Sequence, residues 1–315
     1  VSAPEVVVLG EAMLELSAAE PLESATEFRL SFSGDALNAA AASASAGAVT
    51  ALLSRVGDDE IGTRLLRYAT GLGVDTSLIR RGPSHTGAYL VGADPRGERE
   101  FVYLRSGSAA SAMTPADLSD VPLDRVRVLV VSGISMALSP GAAATVLEAA
   151  QRVSAAGGAV VYDPNYRPRL LDAATAREHL RLMAPLVTVA VPSCPADTGA
   201  LLHTVDPETA AGRLLALGVQ SVLVTEGRRG VSMFHRGGAA VALPAMPAPR
   251  VHDATGAGDV FAGTLAAGLV RASLSVELVR TASAAAALSL AGQGGTGRLA
   301  SAEEVRAYLI ATGAG

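Results

Sequence analysis

The chain has 315 residues, half of them hydrophobic, and a formal net charge of −5 at pH 7. That length can bury one large α/β core or two smaller ones, and the acidic balance argues against a nucleic-acid partner, which needs a basic face. The single cysteine, Cys194, excludes an internal disulfide framework and a multi-cysteine zinc site, and a buried inert thiol is expected.

Every basic residue other than histidine is arginine, with no lysine anywhere. This excludes a lysine-dependent phosphate loop and any Schiff-base enzyme. An anion must be held by arginine, backbone N–H groups or a metal. Residues 1–5 (VSAPE) have no leader character, and no apolar run is long enough to span a bilayer. The expectation is a cytoplasmic enzyme without a membrane partner.

In chain order, residues 5–10 (EVVVLG) read as a buried strand and 36–46 as an Ala-rich helix closed by Gly47. A strand over 49–56 and a helix over 61–72 follow. Residues 86–91 (TGAYLV) and 100–104 (EFVYL) alternate around a turn composition at 94–98 (DPRGE), which predicts a hairpin. Strands are then expected over 126–132, 159–163, 187–191 and 221–225, separated by helices over 140–156, 173–184 and 207–217. Three helices follow Gly256. Such alternation predicts a parallel sheet covered on both faces, as one α/β domain over 1–315 with a small β excursion suited to act as a lid. Ligands of such sheets sit at the carboxyl ends of the strands. There lie Gly10 and Glu11, Gly133, Asp163 with Asn165, Pro192 with Ser193, and Thr225 with Glu226 and Gly227.

Residues 255–259 (TGAGD) stand just before a helix. Free N–H groups at a helix start favour an anion, and a carboxylate facing that anion needs a task; accepting a proton from an attacking hydroxyl is one. Asp259 as a plain first-turn acid is the blander alternative. Phe261 stands where a dinucleotide fingerprint needs its third glycine, which disfavours a nicotinamide enzyme. In 33–38 (SGDALN), Asp35 is a plausible N-cap, whereas Asn38 gains nothing in helicity and could face a polyhydroxyl ligand.

The motifs at 34–38 (GDALN), Gly47, 57–62 (GDDEIG), 163–167 (DPNYR) and 253–259 (DATGAGD) occur in order along the chain. Together they resemble the ribokinase-like (PfkB) carbohydrate kinases. The stretches at 10–16 (GEAMLEL), 103–105 (YLR), 132–135 (SGIS) and 165–170 (NYRPRL) are most similar to the 2-keto-3-deoxygluconate kinases within that family. The resemblance implies a three-layer sandwich with a mainly parallel central sheet and a small β-sheet lid from about 11–33 and 86–106. It implies ATP and Mg2+, with a monovalent cation as a further candidate, and a homo-oligomer formed through the lid. It assigns the sugar acid to Gly34, Asp35, Asn38, Tyr89, Tyr103, Arg105 and Arg167. The nucleotide falls to Asn165, Ser193, Thr225, Glu226, Gly227, Gly230, Gly256 and Gly258. Asp259 is the implied base, with the N–H groups of Gly256, Ala257 and Gly258 holding the developing charge.

Arginine suits that substrate, because a planar guanidinium donates two parallel bonds to a carboxylate. Tyr103 and Arg105 are two apart and share a face if their strand alternates. Relatives carry an Asn or Ser followed three residues later by Glu after the strand at 187–191; here Ser193 is followed by Ala196, and Asp197 is the candidate acid one residue later. Kept as alternatives are a kinase for fructose, ribose or a nucleoside, and a sugar-binding protein without turnover.

Overall fold

The computed structural model describes residues 3–93 and 99–313, so the turn expected at 94–98 lies outside the described residues. Short apolar strands arise where β-branched residues run between turns. These are β1 (Val6–Leu9), β4 (Thr50–Gly57), β8 (Val128–Ser132), β9 (Ala159–Asp163), β10 (Val189–Ala190) and β11 (Ser221–Thr225). In the same chain order come β2 (Met13–Ser17), β3 (Arg29–Ser33), β6 (Ala88–Ala93) and β7 (Arg99–Leu104), of which β2 alternates between buried and partly buried positions. The set is completed by β5 (Ile79–Gly82), β12 (Val231–His235) and β13 (Val241–Leu243).

Among the described residues, nine strands form one sheet in the order β13-β12-β11-β10-β9-β8-β1-β4-β5. It is parallel from β5 to β11, and β12 and β13 add an antiparallel edge. That edge and β5 were not expected from sequence, whereas β2 and β3 fall within the 11–33 segment that the resemblance assigned to the lid. The strand expected over 187–191 shortens to Val189–Ala190.

The helices are α1 (Asp35–Ser45), α2 (Glu60–Gly71), α3 (Gly133–Ala137), α4 (Pro140–Ala155), α5 (Ala173–Met183), α6 (Ala196–Leu202), α7 (Pro207–Ala216), α8 (Ala257–Leu269), α9 (Val276–Ser289) and α10 (Ala302–Ala311). Strand periodicity sorts the core into two layers. Val7, Leu9, Leu129 and Val131 face α3 to α7, whereas Val6, Val8, Val128 and Val130 face α1, α2, α8 and α9. The expected α/β sandwich is thus observed. The α1–α8 contact is close because Gly263 has no side chain: a Cβ there would stand 2.1 Å from the Ala39 carbonyl oxygen. This contact brings the N-termini of α1 and α8 together.

The remaining strands form a separate four-stranded sheet, ordered β3-β2-β6-β7. Its β2–β6 pairing is parallel and its other pairings are antiparallel. The chain leaves β1 toward β4 on one side and β8 lies on the other, so the carboxyl ends of β1 and β8 mark a topological switch point. The small sheet covers that point.

Candidate active site

A cavity of about 920 Å³ opens between the strand ends and the small sheet. Its floor is built by two helix starts. Gly34 is the N-cap of α1, so Asp35 is the first helical residue rather than the cap expected from sequence, and its carboxylate accepts a bond from Ser132 Oγ. Gly256 is the N-cap of α8 with φ 80, a left-handed conformation that glycine adopts without strain. A Cβ there would lie 2.4 Å from Gly295 Cα. Gly256, Gly258 and Asp259 line the floor. Ala257 is not among the lining residues, and its N–H turns toward the Ala254 carbonyl at 3.3 Å. Of the three expected anion-holding N–H groups, those of Gly256 and Gly258 belong to residues at the cavity wall.

Asn38 is buried and bridges Ser33 Oγ, which donates at 3.2 Å, to Asp259 Oδ2, which accepts from Asn38 Nδ2 at 2.8 Å. It also lines the cavity, but its side-chain amide is committed to holding the carboxylate. Asp259 has its pKa pushed up to about 7 by burial and then by repulsion from Asp35; the Asn38 bond and Arg167 oppose the rise. Burial raises Asp163 well above the usual carboxylate range, with repulsion from Asp197 and Asp259 adding to it. Asp35 is raised by burial too, against its Ser132 bond and the charge of Arg105.

The roof is a row of side chains set by strand register. Glu15 pairs with Tyr89, and Tyr89 with Tyr103, so the three stand abreast across β2, β6 and β7. The Tyr89 and Tyr103 rings lie 6.1 Å apart, and Phe101 stacks on Tyr103 at 6.1 Å with 10° between planes. Tyr89 donates its hydroxyl to Glu15. Arg105 follows β7 and sits 5.7 Å from the Tyr103 ring centroid, confirming the shared face. Its Nη2 lies 2.5 Å from Glu11 Oε2, yet Nε and Nη2 make no aligned hydrogen bond.

Arg167 enters from the loop after β9 and donates to the adjacent Tyr166 carbonyl at 3.2 Å. Asn165, Ser193 and Thr225 line the far end of the cavity at the ends of β9, β10 and β11. Glu226, Gly227 and Gly230 do not line it. They form the turn beyond β11, where Glu226 accepts Ser232 Oγ at 3.0 Å and pairs with Arg229 at 3.2 Å.

Asp197 lies in the wall with both oxygens engaged. Oδ2 accepts from Ser193 N at 2.8 Å and Oγ at 2.6 Å, and Oδ1 accepts from Tyr166 N at 2.7 Å. It therefore ties the loops after β9 and β10 together. Among the described residues no group of three or more metal-ligating side chains exists. Mg2+ fits this donor set in one way, because it is commonly held by one or two carboxylates and substrate phosphates while keeping several waters. Asp163 and Asp197 are the oxygen donors of the right type near Ser193 and Thr225.

Three features of the wall were not singled out from sequence. The Glu11–Arg105 pair and the Asn38–Asp259 bond join residues far apart in the chain, so no local pattern announces them. Arg169, whose Nη1 donates to the Phe101 carbonyl at 3.2 Å, lay within the recognised NYRPRL stretch but was not distinguished from a surface arginine.

The chain matches the pfkB family carbohydrate kinases over residues 3–301. It is 34% identical over 263 residues to a 2-dehydro-3-deoxygluconokinase of Thermoproteus tenax, covering 82% of this chain and 79% of that one. It is 30% identical over 272 residues to a 2-dehydro-3-deoxygalactonokinase of Haloferax volcanii, covering 84% of each. In fold it resembles a crystal structure of a putative ribokinase II from E. coli in complex with ATP and Mg2+, with a TM-score of 0.89 at 24% identity, covering 98% of this chain and 99% of that one. No described helix is long and apolar enough to cross a membrane. The chain belongs to the pfkB family of carbohydrate kinases and is an ATP-dependent sugar kinase.

Proposed function

We propose that the protein transfers the γ-phosphoryl group of ATP to the terminal hydroxyl of 2-keto-3-deoxygluconate or a close epimer. One observation carries this reading: Arg105 and Arg167 both line a cavity whose roof is Tyr89 and Tyr103. A neutral sugar offers two guanidinium groups only hydroxyl acceptors, whereas a sugar acid offers them the stronger charge-assisted bonds of a carboxylate. The names of the relatives from Thermoproteus tenax and Haloferax volcanii support the substrate class and leave the epimer open.

The work of this chain is positioning and proton acceptance. The sugar lies under the tyrosines, with its carboxylate toward the arginines and its far hydroxyl toward Asp259. Asn38 holds Asp259 in place, and Asp259 takes the hydroxyl proton as the oxygen attacks. The start of α8 presents N–H groups to the phosphate that receives the developing charge. The nucleotide lies toward Asn165, Ser193 and Thr225. Asp163 and Asp197 are the carboxylates that would stand beside Mg2+, which would supply neutralisation of the phosphate charge. Closure of the small sheet excludes water, the competing acceptor.

One face of the small sheet packs Leu14 and Leu30 against the main core and leaves Leu16 and Leu90 partly exposed, with Val102 at 44% and Leu104 at 52% exposure. That apolar face supports a homo-oligomer joined lid to lid.

ADP release with Mg2+ is expected on 2-keto-3-deoxygluconate or 2-keto-3-deoxygalactonate and not on fructose, ribose or adenosine. Equal turnover on a neutral sugar would cancel the substrate reading and leave the kinase mechanism intact. The rate should also depend on pH with a defined sign. Asp259 must be ionised to accept a proton, so kcat/KM should rise through a limb near the value of about 7 that its surroundings impose. A flat profile from about pH 5 to 9 would remove Asp259 as the titrating base.

A further inference from the structure

We infer that Glu11 is a positioning residue for substrate selection: it holds the Arg105 guanidinium in the cavity wall. The inference rests on the reading that Arg105 receives the substrate carboxylate.

Glu11 lies between β1 and β2, where the chain passes from the main sheet into the lid. It is fully buried, at 0% exposure, and Arg105 is 7% exposed. The two charges approach to 2.5 Å. Ser108 Oγ donates to Glu11 Oε1 at 2.7 Å, which fixes the carboxylate from the segment following β7. Gly87 leaves room for the same oxygen, since a Cβ there would lie 2.4 Å from Oε1. Glu11 is thus held by Ser108, in a space that only a glycine at position 87 leaves open.

Asp35 lines the same cavity as Arg105, and its carboxylate feels the arginine's charge. Glu11 is the carboxylate in contact with the guanidinium, and breaking a buried pair leaves an uncompensated charge, which is costly. The Glu11–Arg105 geometry satisfies charge but not direction, because Arg105 Nε and Nη2 remain without aligned acceptors. Both atoms are shut off from solvent, so an incoming carboxylate meets Arg105 on the part of the side chain that lines the cavity. The pair also joins the end of β7 to the end of β1, so a lid residue reads the substrate from a position fixed by the main sheet.

The test is steady-state kinetics on the full chain with Glu11→Gln, Arg105→Ala and the double variant. Glu11→Gln keeps size and one acceptor but removes the charge that restrains Arg105. It is expected to raise KM for the sugar acid by about tenfold and to leave KM for ATP unchanged. The double variant should be no worse than Arg105→Ala alone, because Glu11 acts only through Arg105. A Glu11→Gln KM within about twofold of wild type, or losses that multiply in the double variant, would overturn the proposal. A purely structural Glu11 would lower Tm and change both KM values together. Should Glu11→Gln fail to fold, Ser108→Ala loosens the same carboxylate without unpairing the arginine. It should raise the sugar-acid KM by about threefold, and no change there also overturns the idea. A wild type that takes fructose as readily as the acid would instead defeat the substrate reading. The Glu11–Arg105 coupling measured on fructose would then decide the role of Glu11 by the same criterion.

Discussion

Asp259→Asn is expected to lower kcat by roughly 10²–10⁴-fold, the usual worth of a positioned general base, while KM for sugar and ATP stays close to wild type. The shape survives because an asparagine oxygen can still accept the Asn38 Nδ2 bond that Asp259 Oδ2 accepts at 2.8 Å. Stability separates this from damage to the fold. The folded pKa of Asp259, about 7, lies above its ordinary 3.8. The stability gained by its protonated form is therefore fully present below the ordinary value and lost as pH rises through about 7. At pH 8 the wild type carries the whole cost of a buried, repelled carboxylate, and Asn carries none. The inactive variant should then melt at or above the wild-type Tm at pH 8, with the difference shrinking toward pH 4. Near-wild-type turnover would sink the assigned role, and a lower Tm at pH 8 would sink the electrostatic account.

The second large effect concerns Arg167. Its side chain is exposed and, among the described residues, its hydrogen bond is local, to the Tyr166 carbonyl at 3.2 Å, so Arg167→Ala should fold normally. KM for the sugar acid is expected to rise by about 10²-fold, the scale of a charge-assisted bond to a carboxylate, with less than about threefold change in any residual use of a neutral sugar. The same variant carries an independent signature. Arg167 draws the Asp259 and Asp163 carboxyls down against burial, so its removal should move the acid limb of kcat/KM to higher pH. Equal losses on acid and neutral substrates would show that the guanidinium serves the phosphate instead.

Arg105 is expected to respond differently although both arginines face one ligand. It is 7% exposed and paired with Glu11, so Arg105→Ala strands a buried carboxylate and should lower Tm as well as affinity. Arg167 supplies charge from a solvent-accessible loop, whereas Arg105 supplies direction from a fixed wall. Their separation along the chain hides this division of labour, which burial and pairing reveal.

The parallel β-α alternation, the three closing helices and the hairpin at 86–104 follow from local composition and periodicity, because apolar period and turn residues act over a few neighbours. The edge strands β12 and β13 escape that reading although each pairs with its neighbour in the chain; at five and three residues they are too short to carry a strong period of their own. Residues 253–259 announce an anion site with a carboxylate because a helix start displays its N–H groups wherever it occurs. Sequence by itself determined the layer architecture, the family motifs and the residue types available for chemistry. Tertiary structure decided which of those residues meet. The Gly263–Ala39 approach of α8 to α1 sets Asn38 against Asp259. The register of β6 on β2 and β7 aligns Tyr89 with Glu15 and Tyr103. The return of β7 to the end of β1 buries Arg105 on Glu11. Each of these is a long-range contact, and its energy depends on burial and alignment that no local stretch of sequence contains.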